Sequence, residues 1–147
     1  MSTVDFPQVP RLVAAPAGIA GNATLTYQVP DPGPGQRQYG VWEIVSVTFR
    51  LTTDGTVATR VPVLSILGGD QIAIGVAVAG FGATANTTAD YGFTQGLAEW
   101  DQGNNAFASG PAPTMPLDPG DAITLQVAAG VATDTVTRVH IVLAPCY

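Results

Sequence analysis

The fold is decided by residues 41–55, which read VWEIVSVTFRLTTDG. From position 45 to position 52 apolar and polar side chains alternate, and the apolar ones occupy the odd positions Val45, Val47, Phe49 and Leu51. Because successive side chains of a strand point to opposite faces, this pattern predicts a half-buried strand with its odd side chains inside. Each large side chain contributes about 1.5–3 kcal/mol on full burial. The Asp54-Gly55 pair predicts a hairpin turn into a partner strand over residues 60–67.

Strand-like patterns continue on both sides of this stretch. Residues 24–29 carry apolar side chains at alternate positions. In residues 72–78 the large apolar side chains stand at even positions and the small ones at odd positions, and a bare strand face suits the close approach of another sheet or another subunit. Pro62 cannot donate a ladder hydrogen bond, so we expect it at a strand start or on an edge strand.

The C-terminal half has weaker strand signals and more turns. Residues 86–94 are a more polar strand candidate, and residues 95–116 are expected to be mostly loop. Pro119-Gly120 fits the central positions of a type II turn that leads into strands near residues 123–127 and 139–143. About seven or eight short strands without a convincing helix predict an all-β fold, an antiparallel β-sandwich of jelly-roll-like type.

Residues 1–20 are predicted to form an extended, Pro-rich N-terminal arm, followed by a single sandwich domain over residues 21–147. Three prolines make a helix or a central strand unfavourable in this arm. Its apolar content distinguishes it from a polar, disordered tail. Two interpretations remain open: a strap across its own domain, or an arm that docks on a neighbouring subunit. The second interpretation assigns the interface to Val4, Phe6, Val9, Leu12 and Val13.

Composition limits the classes of partner. The 147 residues suit one domain. Eleven acidic residues, five arginines and no lysine give a net charge of −6, which disfavours binding to nucleic acid or to anionic membranes. Charged residues make up only 11% of the chain, against roughly 25% in an average soluble protein. A surface so poor in charge is best tolerated where partners cover it.

The chain ends give two further expectations. The N-terminus has neither a basic segment nor an apolar segment of the kind that signal peptides carry, so we expect a soluble protein made in a cytoplasm. Cys146 is the only cysteine, so it cannot form a disulfide within the chain, and we expect a spare thiol.

The sequence shows no convincing catalytic pattern. His140 is the only histidine, and no carboxylate is placed by the sequence to orient it as a general base. An acidic and amide-rich stretch near Asp101 is a minor metal candidate, and Glu43 with Glu99 is a distant candidate for a glycosidase pair. We therefore expect no enzyme, no cofactor and no metal. Trp100 and Phe107 lie in a polar, loop-rich region and are the best candidates for a surface-binding loop.

The chain resembles small β-sandwich structural proteins of tailed bacteriophage virions over roughly residues 39–143. The resemblance is carried by the placement of strands and turns. Its segments are Tyr39-Gly40-Val41-Trp42-Glu43-Ile44, Leu51-Thr52-Thr53-Asp54-Gly55, Thr59-Arg60-Val61-Pro62-Val63-Leu64, Leu117-Asp118-Pro119-Gly120-Asp121-Ala122-Ile123 and Asp134-Thr135.

The resemblance implies a virion structural protein without catalytic residues. Such proteins decorate or cement the capsid, serve as minor head proteins, or form parts of tails and fibres. The partners would be the major capsid protein or neighbouring structural subunits, and we expect a homo-oligomer, either cyclic or trimeric. The alternative is a carbohydrate-binding module of a tail or fibre that uses Trp100 and the surrounding loop.

Overall fold

Two β-sheets pack face to face around one apolar core. The structure, a computed structural model, describes residues 11–30, 41–79, 82–95, 100–101 and 107–145. Within these residues every regular element is a strand, and the described strands pair in antiparallel fashion except for β7 and β9, which run parallel to each other. The predicted all-β sandwich is confirmed. The strands are β1 Leu12–Ala14, β2 Ile19–Ala20, β3 Leu25–Gln28, β4 Trp42–Thr52, β5 Val61–Leu67, β6 Ala73–Val78, β7 Thr88–Thr94, β8 Trp100–Asp101, β9 Phe107–Pro111, β10 Ala122–Ala128 and β11 Thr135–Pro145.

The larger sheet has the strand order β1-β11-β4-β7-β9-β8, with β2 also paired to β11. The smaller sheet has the order β3-β10-β5-β6. Alternate side chains of both sheets point between them and exclude water, which is the main favourable contribution to folding. The most completely buried apolar side chains come from β4, β5, β7, β10 and β11 and from the turn before β10: Ile44, Leu51, Leu64, Ile66, Phe93, Leu117, Ile123, Leu125, Ile141 and Leu143.

Strand β4 changes its inward phase in the middle. Val47, Phe49 and Leu51 are buried as the alternation predicts, but Val45 is only half-buried, and the buried residues before it are Trp42 and Ile44. The ladder between β4 and β11 is irregular at this point, because Val142 pairs with Ser46 whereas the next residue, Leu143, pairs with Ile44. The prediction for Val45 is therefore wrong, since a β-bulge inserts one extra residue and reverses the faces that follow.

The turn after β4 is not a hairpin. β4 belongs to the larger sheet and β5 to the smaller one, so residues 53–60 carry the chain from one layer of the sandwich to the other. Pro62 lies near the start of β5, as predicted. The Asp54 carboxylate accepts a hydrogen bond from the backbone N–H of Thr56 at 2.9 Å and so stabilises a bend that turns away from β4.

Two other regions test the remaining sequence predictions. Gly120 has a φ of +93°, and the N–H of Asp121 donates to the carbonyl of Asp118 at 3.0 Å, which confirms the turn before β10. Within residues 95–116, expected to be mostly loop, the chain forms β8 and β9. β9 runs parallel to β7 and has no alternating sequence pattern to reveal it.

Candidate interaction surfaces

Strand β6 exposes a row of large apolar side chains at the edge of the smaller sheet. Ile74, Val76 and Val78 are 45%, 58% and 56% exposed, and Ile72 just before the strand is 62% exposed. The small residues Gly75 and Ala77 face inward instead, whereas Ala73 pairs with Leu67 beyond an irregularity in the ladder and is exposed. A Cβ added at Gly75 would lie 2.9 Å from the Met115 sulfur, so a larger residue there would have to displace the Met115 side chain. The face of the strand that carries the large side chains at even positions is thus the one exposed to solvent.

The apolar surface continues onto the neighbouring strand. Val63 and Ser65 of β5 pair with Val78 and Val76 of β6, so their side chains lie on the same outer face. Residues 71–79 contain no ionisable side chain. Natural edge strands are usually protected by charges, prolines or covering segments, because their unpaired backbone groups are ready to pair with another chain. β6 has no charge of this kind, and its edge is therefore a candidate interaction surface.

The predicted N-terminal arm is paired with its own domain over its described part. Leu12 pairs with Leu143 of β11 and packs against the core, while Val13 next to it is 62% exposed. Ile19 pairs with Val136 of the same strand. Residues 12–20 therefore lie across the sandwich as the strap interpretation expects. Docking by Leu12 and Val13 on another subunit stays a prediction, and Val4, Phe6 and Val9 lie outside the described residues.

The candidate aromatic surface falls on two short strands of the larger sheet. The backbone of Trp100 pairs with that of Ser109, and Phe107 stands two positions before Ser109 on β9. The two aromatic residues therefore occupy neighbouring positions at the β8 edge of the sheet. Their use as a surface-binding loop stays a prediction. The metal candidate near Asp101 includes residues outside the described part of the chain.

A shallow depression lies on the outer face of the larger sheet. It has a volume of about 240 Å³ and is lined by residues of β4, β7 and β11. Arg50 donates to both carboxylate oxygens of Asp90, at 2.8 and 3.0 Å, and these hydrogen bonds hold the pKa of Asp90 below its ordinary value. Arg138 lies at a bulge with a φ of +52°. The depression is smaller than the roughly 300–1,000 Å³ of typical ligand pockets, so it does not define a small-molecule site.

Of the remaining sequence candidates for chemistry, His140 and Glu43 lie on β11 and β4, and Glu99 lies outside the described residues. His140 is exposed, and its Nδ1 lies 3.1 Å from the carbonyl oxygen of Arg138. Glu43 is half-buried and accepts a hydrogen bond from Gln95 at 3.3 Å. Within the described ranges, no group of three or more His, Cys, Asp and Glu side chains is arranged to hold a metal ion. In that same part of the chain there is also no helix with the length and apolar character that crossing a membrane requires.

A buried ion network joins the two layers at the end of the sandwich where the chain crosses between sheets. The Arg60 side chain is fully buried, and its Nε donates to Asp134 Oδ2 at 2.9 Å. Its terminal nitrogens donate to Asp54 Oδ1 at 2.7 Å, to Asp134 Oδ1 at 3.2 Å, and to the carbonyls of Thr56 and Ala58 at 2.6 and 3.0 Å. A guanidinium has five N–H donors, and five hydrogen bonds engage this one.

The two carboxylates of this network have lowered pKa values. Burial, the largest single influence, raises the pKa of Asp134, but hydrogen bonds from the backbone of Val131 and Asp54 and from Arg60 together outweigh it and hold that pKa below its ordinary value. The pKa of Asp54 is lowered to about 2, first by the hydrogen bond from the Thr133 hydroxyl and then by the backbone N–H of Thr56.

We expect this network to make the stability of the domain sensitive to acid. An unfolded aspartate titrates near pH 3.9, whereas folded Asp54 titrates at about 2. Below about pH 4 the unfolded chain therefore takes up more protons than the folded chain, and the free energy of unfolding falls as the pH approaches 2. Urea unfolding between pH 2 and 7, followed by tryptophan fluorescence, measures this slope. The Asp54→Asn variant should have a shallower slope below pH 4, and equal slopes in the two proteins would contradict the assignment.

By its fold, this chain is an antiparallel β-sandwich protein.

No protein-family model matches the chain. No curated protein matches it either. Among solved structures, it is similar to a chain in the crystal structure of the T13 viral particle of IBDV, with 12% sequence identity and a TM-score of 0.47 over 96% of this chain and 31% of the viral chain. A chain of infectious bursal disease virus, Gx strain, is similar with 13% identity and a TM-score of 0.35, over 95% of this chain and 41% of the viral one. The protein thus spans less than half the length of either viral chain.

Proposed function

We propose that this protein is a non-enzymatic structural subunit of a virion, and that it binds and stabilises the particle of a tailed bacteriophage as a capsid decoration, cement or minor head protein. The observation that carries the proposal is the exposed, uncharged row of Ile74, Val76 and Val78 on an edge strand. In a chain that stays alone in solution such a surface promotes aggregation, whereas in an assembled subunit it can form a contact with a neighbouring protein.

The composition supports the same proposal. Few charged residues and no lysine leave a surface suited to coverage by other proteins rather than to colloidal solubility. The proposed partners are the major capsid protein or neighbouring structural subunits. Leu12–Ala14 and Ile19–Ala20 pair with β11, so we assign the docking contact to residues 1–10 of the arm. Val4, Phe6 and Val9 are its proposed contact residues.

The test asks whether the protein is a stoichiometric component of purified particles. Particles from lysates of the virus that carries this gene are banded on a density gradient and their proteins quantified by mass spectrometry. We expect a fixed number of copies per particle, and a variant that lacks residues 1–10 should band apart from the particle while it keeps the circular dichroism spectrum of a β-sandwich. Unlike a deletion of residues 1–20, this one leaves the pairing of β1 and β2 with β11 intact.

Two outcomes would contradict the proposal. Particles without the protein would overturn the virion role, and unchanged occupancy after removal of residues 1–10 would overturn the docking arm. A glycan array separates the carbohydrate-binding alternative, because that alternative requires binding that is lost in Trp100→Ala. The neighbouring positions of Trp100 and Phe107 at the β8 edge are the observation that favours this second function.

A further inference from the structure

The free backbone groups of β6 can be assigned from the hydrogen bonds on its other side. Val78 pairs with Val63, and the N–H of Ala79 donates to the carbonyl of Pro62 at 2.9 Å. This hydrogen bond flanks the Val78–Val63 pair, which is therefore a non-hydrogen-bonded pair of the antiparallel ladder. The N–H and C=O groups of Val78 point away from β5 as a result, and so do those of Val76 two residues earlier. Among the strands that the structure describes, none pairs with this side of β6.

We propose that β6 pairs with β6 of a second copy of this chain, antiparallel, about a two-fold axis at Val76. The inference rests on the same edge strand as the proposed function, but it does not depend on a location in a virion. Val76 then exchanges both its backbone hydrogen bonds with Val76 of the second copy, and Val78 stands opposite Ile74 of the second copy, the residue at the bulge of β6. Two four-stranded sheets become one continuous sheet of eight strands.

The pattern of the strand selects this register. A slip by one residue would set the large, exposed side chains of one copy beside the small, inward side chains of the other, so only registers that keep the faces matched are compatible with the sandwich. If the two-fold axis lay at Gly75 instead, Ile72 would have to pair with Val78 of the second copy. The carbonyl of Ile72, however, already accepts a hydrogen bond from the N–H of Gly68 at 2.9 Å. An axis at Val76 instead pairs Ile74, Val76 and Val78, which all lie within β6.

A second copy presents the same edge strand with the same exposed apolar row, and the absence of charge on this edge lets two acidic copies meet there. Two copies that each carry a net charge of −6 repel each other over most of their surface. Residues 71–79 form a segment without ionisable side chains, so two copies approach there at the lowest electrostatic cost. The nearest preceding charge is Asp70, in the turn before β6, and in the proposed register Asp70 and its counterpart in the second copy lie at opposite ends of the shared ladder.

The first test measures association of the purified protein. We expect sedimentation equilibrium to show a dimer at tens of micromolar, and Val76→Lys to raise the dimer Kd by about a hundredfold or more, because two like charges then face each other at the axis. Gln126→Lys is the matched control, since Gln126 lies on the same outer face but on the interior strand β10. A monomer or a trimer as the only species, or a dimer that Val76→Lys leaves unchanged, would overturn the inference.

The second test locates the axis. In a hydrogen-bonded antiparallel pair the two Cα atoms lie about 5.5 Å apart, which is within the range of a disulfide. In a Cys146→Ser background, Val76→Cys should form a covalent dimer under mild oxidation, while Gln126→Cys should remain monomeric on a non-reducing gel. Equal cross-linking of the two variants would overturn the register. A dimer in solution together with particles that lack the protein would overturn only the proposed virion function, so the two proposals fail separately.

Discussion

Replacement of Arg60 by methionine is expected to lower the free energy of unfolding by about 3–5 kcal/mol. The guanidinium and the Asp134 carboxylate are both fully buried, and the shortest contact between them is 2.9 Å. A buried charge that loses its partner keeps its desolvation penalty without the attraction that offset it. Methionine fills much of the arginine side-chain volume, so the loss reports the missing charge and hydrogen bonds rather than a cavity.

The measurement is urea unfolding at pH 7, with Arg50→Met as the matched control. Arg50 also binds an aspartate through two hydrogen bonds, but its side chain is 31% exposed and that of Asp90 is 45% exposed. Water screens such a pair and replaces its hydrogen bonds, so its loss should change the unfolding midpoint far less. Equal effects of the two substitutions would show that the Arg60 network does not hold the two layers together.

The Arg60 network could not be predicted from the sequence. Arg60 and Asp134 are 74 residues apart, and no local pattern connects them. Asp54, the third member, stands in an Asp-Gly pair that has a sufficient local explanation as a hairpin turn. The hairpin prediction failed for the same reason, because the buried ion contacts that direct the chain into the other sheet are tertiary. Arginine is usually an exposed residue, and only the structure shows that Arg60 is buried.

Local signals did predict most of the fold. The turn before β10 needs only Pro119, Gly120 and the aspartates that flank them, all within five residues. The β-sandwich class likewise follows from strand alternation and turn spacing. Strand β9 escaped prediction because its pairing with β7 is parallel and non-local. The outward direction of the large side chains of β6 was equally invisible, since alternation identifies two faces but not which one meets the core.

Phe49→Ala is expected to lower the free energy of unfolding by about 3–5 kcal/mol. The ring is 2% exposed and stacks on two aromatic rings of β7, with centroid distances of 5.4 Å to Tyr91 and 6.4 Å to Phe93. Removal of the ring leaves a cavity between the sheets and also removes this stacking. Thermal and urea unfolding of the variant measure the loss, and a loss below about 1 kcal/mol would contradict the packing.

A pair of identical substitutions on the same strand tests the bulge that the alternation did not predict. A regular strand would bury Val45 and Val47 alike, so that replacement of either valine by alanine would have the same effect. In the structure Val47 is 1% exposed whereas Val45 is half-buried at the bulge. Val47→Ala should therefore lower the free energy of unfolding by about 2 kcal/mol, through two lost methyl groups and a small cavity, and Val45→Ala by clearly less. Equal losses would mean that β4 runs straight, in which case Trp42 and Ile44 would point away from the core.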